Sequence, residues 1–205
     1  MKLSVVIQAG GESRRMGRNK ALVPFLGQPL IERVIAKVKP IADEILITSN
    51  SPESLAYLNV PTFPDVLPGR GALGGLYSAF SFAKHPTVAV VACDMAFVNT
   101  PLLAAERDLL LERMAEGVVP ETRSGFEPFH AVYCREPCLE AVKAALEAGQ
   151  KRADSWFWKI HVVYFPINLL TMYDPLGIAF LNLNTPEELK QAEDRAKAIS
   201  GMSLN

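Results

Sequence analysis

The sequence predicts an α/β fold: one domain built on a single doubly wound, mostly parallel sheet with helices on both faces. Three observations carry this. Short apolar runs (KLSVVIQ at 2–8, EILIT at 44–48, TVAVVAC at 87–93) end abruptly at small or polar residues, as buried parallel strands do. Segments with apolar residues at helical spacing lie between them. No repeat, low-complexity stretch or linker interrupts the 205 residues, so the alternation closes into one covered sheet.

The elements follow in order. After the strand at 2–8, Pro29 opens a helix whose Leu30, Ile31, Val34, Ile35 and Val38 share one face before Pro40 ends it. The next strand is 44–48, followed by a short extended piece at 60–64. A helix over 72–84 leads into the strand at 87–93, the most hydrophobic of all, with Asp94 at its carboxyl end. Pro101 starts a helix to about Glu116. Strands are expected at Val118-Val119 and at 128–134, then a helix at 137–148 and further strands at 160–165 and 178–183. Pro186 opens a last helix to about Ile199, so the domain spans 1–200 and 201–205 are expected to be a frayed tail.

Hydrophobic residues make up 49% and charged residues 21%, and the net charge is −1. No global field therefore draws the chain to nucleic acid or a membrane, and any anion binding must be local. No apolar run approaches the roughly 18 residues of a membrane span, and the N-terminus lacks the pattern of a secretory leader. Cys93, Cys134 and Cys138 cannot all pair and lack the paired short spacings of a zinc site. Reduced thiols in a cytoplasmic protein are the expectation.

In open α/β sheets, ligands bind beyond the carboxyl ends of the strands. The loops at 9–20, 49–51, 65–75 and 94–99 all leave such ends and should meet around the ligand. In the first, Gly10 and Gly11 let backbone N–H groups approach an anion closely. Arg14, Arg15, Arg18 and Lys20 then place four cations within seven positions. A solvated turn would explain the charges alone; their place after a buried strand and beside two glycines favours a polyphosphate. It is not a P-loop, because Gly17 is followed by Arg18, Asn19, Lys20 and Ala21.

A literal dinucleotide fingerprint does occur at Gly69-Arg70-Gly71-Ala72-Leu73-Gly74, with Asp94 twenty residues further on. It would make the chain a nicotinamide-dependent oxidoreductase with Asp94 on the ribose hydroxyls. Against it, Asp65-Val66-Leu67-Pro68 separates the fingerprint from its strand, which itself holds Pro61 and Pro64.

Asp94 could cap the following helix, although Thr100 before Pro101 is better placed for that. At a strand's carboxyl end it suits Mg²⁺, which takes one or two carboxylates plus phosphate oxygens. Asp65 could bind a base edge, a ribose or simply a turn. His85, His130 and His161 compose no zinc site and read as structural, and the Gly-x-Ser-x-Gly elbow of hydrolases is absent.

QAGGESRRMGRNKAL, FPDVLPGRGALGGLYSAF, CDMAF and FLNLNTPEEL, with Asn50 after the second strand, together resemble the molybdenum cofactor guanylyltransferase family over most of the chain. Related cytidylyltransferases and sugar-nucleotide pyrophosphorylases usually carry Ala-Ala-Gly where Ala9-Gly10-Gly11 stands here. The resemblance implies a Rossmann-like nucleotidyltransferase fold and GTP-dependent transfer of GMP to the phosphate of molybdopterin or the molybdenum cofactor, with Mg²⁺. It places Gln8, Ala9, Gly10, Gly11, Lys20, Asn50, Asp65 and Asp94 on GTP, with Gln8, Ala9 and Gly10 acting through their backbone. Lys20, Arg15 and Asp94 fall on catalytic positions, Asp94 on the metal position, and Asn182 and Asn184 on the pterin side. Gln8 replaces the commoner leucine and Ala96 the usual proline; neither is expected to alter the chemistry much. A monomer is the default expectation, with transient contacts to cofactor-donor or cofactor-using proteins. The same fold serving CTP or a sugar phosphate, and a non-catalytic nucleotide sensor, are the alternatives.

Overall fold

A computed structural model describes residues 2–10 and 19–202; Gly11, Arg14, Arg15 and Arg18 of the first loop, and the end of the tail at 203–205, lie outside the described residues. The strands are β1 (Leu3–Gln8), β2 (Pro24–Phe25), β3 (Gln28–Pro29), β4 (Glu44–Thr48), β5 (Thr62–Phe63), β6 (Thr87–Ala92), β7 (Gly117–Thr122), β8 (Gly125–Phe126), β9 (His130–Cys134) and β10 (Val162–Phe165). The α-helices are α1 (Leu30–Val38), α2 (Gly71–Phe82), α3 (Thr100–Glu112), α4 (Arg135–Glu147), α5 (Ile167–Tyr173) and α6 (Pro186–Met202).

The main sheet runs β10-β7-β9-β6-β1-β4-β5, with β8 paired to β7. β1 is parallel to both β4 and β6, and β10 is parallel to β7. β9 is antiparallel to both its neighbours, so the sheet is mixed though mostly parallel. Side chains alternate across β1. Leu3, Val5 and Ile7 enter a core closed by Ile31 and Val34 of α1 and Leu102, Leu103 and Leu110 of α3. Val6 points the other way, onto Leu73, Leu76 and Phe80 of α2 and Val142 of α4. Period-two alternation in a strand that is buried along its length therefore builds two cores.

A third, smaller core joins the hairpin to the chain's end: Val23, Phe25 and Leu30 pack with Leu183, Ala192 and Ala196. This contact explains one departure from the sequence reading. Residues 178–183 are apolar enough for a strand, yet form none. Asp174 caps the turn by accepting from the backbone N–H groups of Ile178 (3.0 Å) and Ala179 (2.9 Å). Leu183 N–H donates to the Asp94 carbonyl at 3.3 Å. The segment's polar backbone groups find loop partners in place of a ladder. α3 stops at Glu112, short of the expected Glu116, and α6 reaches Met202, two residues into the expected tail.

Candidate active site

The strand order reverses at β1, which pairs with β4 on one side and β6 on the other, and a cleft of about 1170 Å³ opens beyond their carboxyl ends. Described residues from all four predicted loops line it, including Gly10, Asn50, Asp65 and Asp94.

At one end stands Lys20. Asn19 begins the 3-10 turn Lys20–Leu22, its Oδ1 accepting from Ala21 N–H at 3.1 Å while its Nδ2 donates to Ser54 Oγ at 3.0 Å. The Lys20 ammonium donates to the Asp94 carboxylate and, at 2.6 Å, to Asn184 Oδ1. Side-chain exposures of 19% and 12% for Lys20 and Asp94 leave the pair open to the cleft while holding off bulk water.

Each member is held by a separate element. Cys93 N–H donates to the Gln8 carbonyl at 2.9 Å, tying the approach to Asp94 onto β1. Asn184 is fixed by a capping box: Glu188 accepts from the N–H groups of Asn184 (2.6 Å) and Thr185 (3.0 Å), and Thr185 Oγ1 accepts from Glu188 N–H (3.1 Å). Asn182 stands differently, its side-chain amide reaching only the Phe180 carbonyl at 3.4 Å. Of the two asparagines, Asn184 is therefore the one brought onto the Lys20–Asp94 pair.

At the other end Asn50 and Asp65 converge on the backbone of Gly10. A Cβ at Gly10 would stand 3.7 Å from Asp65 Oδ2 and 3.8 Å from Asn50 Nδ2, so both polar groups close over that main chain. Burial pushes the Asp65 carboxyl above the usual carboxylate range, and a hydrogen bond from Ser78 pulls against it. Ala9 N–H bonds the Thr48 carbonyl at 2.8 Å, which fixes the start of the loop. The predicted Gly11 and Arg15 lie outside the described residues.

Gln8 does more than extend the strand. A Cβ at Gly75 of α2 would stand 2.4 Å from Gln8 Oε1, so only glycine there leaves room for the amide. The Gln8 Nε2 is buried and, among the described residues, has no hydrogen-bond acceptor. The fingerprint glycines also belong to this cleft: Gly69 and Gly71, with φ of +77° and +62°, shape the wall ahead of α2.

Sequence reading missed a buried pair just behind the cleft. His130 Nδ1 lies 3.2 Å from Glu106 Oε1, and His130 Nε2 accepts from Asn99 N–H at 3.2 Å. With Nε2 accepting, Nδ1 carries the proton and donates to Glu106. Asn99, not Thr100, caps α3, its Oδ1 accepting from Leu102 N–H at 2.9 Å. Burial pushes the Glu106 carboxyl up to about 7, partly offset by His130. A histidine in an apolar strand was legible as structural; its glutamate, 24 residues away on a helix, was not. The three cysteines are free, and burial pushes each thiol up, which marks them as inert packing residues.

Residues 5–161 match the MobA-like NTP transferase domain family. A molybdenum cofactor guanylyltransferase of Shewanella woodyi is 36% identical over 203 residues, covering 96% of this chain and 99% of the relative. One from Desulfosudis oleivorans is 34% identical over 196 residues, covering 94% and 95%. The chain belongs to the molybdenum cofactor guanylyltransferase family.

A crystal structure of molybdopterin-guanine dinucleotide biosynthesis protein A from Archaeoglobus fulgidus superposes with a TM-score of 0.82 at 26% identity, covering 95% of this chain and 99% of that one. A cytidylyltransferase from Thermus thermophilus shares the fold alone, at 18% identity and a TM-score of 0.68. In this molybdenum cofactor guanylyltransferase the cleft has one region where Lys20 meets Asp94 and Asn184, and another where Asn50 and Asp65 close over Gly10.

Proposed function

We infer that this chain transfers GMP from GTP to the phosphate of molybdopterin or of the molybdenum-loaded cofactor, forming the guanine dinucleotide and releasing pyrophosphate. The observation that carries the reading is the meeting of Lys20, Asp94 and Asn184 in one cleft with Gly10, Asn50 and Asp65. Residues 1–200 act as one nucleotidyltransferase domain.

In the reaction an oxygen of the acceptor phosphate forms a bond to the α-phosphorus of GTP. The bond from that phosphorus to the α–β bridging oxygen breaks, and its electrons leave with pyrophosphate. No protein nucleophile is needed, so the residues act by position and charge. Lys20 neutralises charge building on the phosphates and on the departing pyrophosphate. The N–H groups of the glycine loop, and Arg15 with them, serve the same anion. Asn184, holding the Lys20 ammonium, keeps it aimed into the cleft. Asn50, Asp65 and Gly10 hold the nucleoside.

Mg²⁺ suits this site. Among the described residues no group of three or more histidines, cysteines, aspartates or glutamates converges, so a bound ion must draw most of its oxygens from the nucleotide and water. Asp94 is the cleft's carboxylate for it, and when bound the ion supplies Lewis-acid neutralisation of phosphate charge. Asn182, which also lines the cleft, serves the pterin side.

GTP-dependent conversion of molybdopterin to its guanine dinucleotide, followed by mass and by pyrophosphate release, tests the reading. A gain of one GMP and one equivalent of pyrophosphate supports it; preferential use of CTP overturns it.

A further inference from the structure

We propose that the side-chain amide of Gln8 reads the guanine base, donating through Nε2 to the O6 acceptor. This rests on the guanylyltransferase reading and adds a selectivity contact to it. Gln8 closes β1, and the alternation that sends Val6 into the α2 core turns Gln8 toward the same face. There the amide lies against Gly75, with its nitrogen buried and lacking an acceptor among the described residues. A buried N–H donor without a partner is uncommon, because desolvation is paid with no bond in return. Gln8 also lines the nucleotide cleft. The terminal amide torsion is soft, so an acceptor entering the cleft takes this donor after a small rotation.

The position selects the kind of acceptor. Lys20 and Asp94 mark the phosphate end. The carboxylate of Asp65, at the other end, would repel phosphate and instead accepts N–H groups. A donor and an acceptor lining one cleft suit the guanine edge, which offers O6 next to N1–H and the N2 amino group. Adenine has no proton on N1, so its edge would present an acceptor to the Asp65 carboxylate. Gly75 is part of the device, since any Cβ there would strike the amide.

The test compares GTP with 6-thioguanosine triphosphate, which replaces O6 with sulfur, a much weaker acceptor, and keeps both N1–H and the N2 amino group, in the intact protein with Mg²⁺ and molybdopterin. The wild type is expected to favour GTP in kcat/KM by about ten- to a hundredfold. Gln8→Leu should bring that ratio close to one through loss on GTP, while the melting temperature of the ligand-free protein holds or rises, because an unpartnered donor is gone. Gly75→Ala should lower the ratio as well by expelling the amide. A Gln8→Leu protein that keeps the wild-type ratio while transferring GMP overturns the amide assignment and leaves the guanylyltransferase reading standing. So does a wild type indifferent to O6, or a Gln8→Leu chain that does not fold, since the amide's role would then be structural. A wild type that prefers CTP overturns both.

Discussion

Two pairs of partners meet near neighbouring strands, at Asp94 just past β6 and at His130 on β9, and do different work. Lys20 and Asp94 meet in the open cleft, partly exposed, with Asn184 as a third partner. His130 and Glu106 meet in a sealed interior, with no exposed side-chain surface, and among the described residues Glu106 Oε2 lacks a hydrogen-bond partner. The first pair lies where a bound group could replace its bond, because it is open to the cleft. The second cannot, because nothing can enter. An exchangeable pair suits chemistry; a sealed one ties β9 to α3 and, through Asn99, holds the loop that follows Asp94.

The contrast is sharpest in turnover. Lys20→Ala is expected to lower the rate of pyrophosphate release about 10²- to 10³-fold with little change in melting temperature. Equal losses of rate and stability would merge the two pairs into one structural class. Asp94→Asn should cost about a hundredfold at fixed Mg²⁺, a loss partly relieved by raising the metal concentration.

For the sealed pair the expected loss is in stability. His130→Ala leaves the buried Glu106 carboxyl group without its partner and should destabilise the fold by about 3 kcal/mol or more in urea titrations. The folded fraction should keep its specific activity. Acidity offers a gentler probe. Burial raises the Glu106 carboxyl from 4.5 to about 7. Between those values the folded chain holds a proton that the unfolded chain has released, so stability falls as pH rises across that window. The total is up to about 3 kcal/mol. Glu106→Gln should flatten the slope between pH 5 and pH 7.5 in denaturation curves.

The smallest expected effect separates the two asparagines. Asn184→Ala removes an acceptor from the Lys20 ammonium and should slow transfer about tenfold. Asn182→Ala, which leaves the Lys20–Asp94 pair intact, should change kcat less and report mainly in the KM for molybdopterin.

Much of this was legible in the chain. The runs at 2–8, 44–48 and 87–93 became β1, β4 and β6 because continuous apolar stretches ending in polar residues fit only the centre of a covered sheet. Topology alone leads to the expectation that the loops leaving those strands meet, and Gly10, Lys20, Asn50, Asp65 and Asp94 do line one cleft. The run at 178–183 misled, because apolar composition does not say whether the backbone bonds a neighbouring strand or, as here, Asp174 and the Asp94 carbonyl. The reversed direction of β9 was equally hidden, since a buried strand has the same pattern whichever way it runs.

By itself the sequence determined which segments are buried, where the chain turns, and that Lys20 and the strand-end Asp94 belong to loops leaving the same end of the sheet. These are local properties: apolar spacing, the conformational freedom of glycine, and the reach of a charge from its own backbone. Only the tertiary structure decided that Asn184 would take the Lys20 ammonium from 164 residues away, that Glu106 would be sealed beside His130, and that Gly75 would make room for the amide of Gln8. Those contacts join segments whose separation is set by how sheet and helices pack, and packing depends on the whole chain at once.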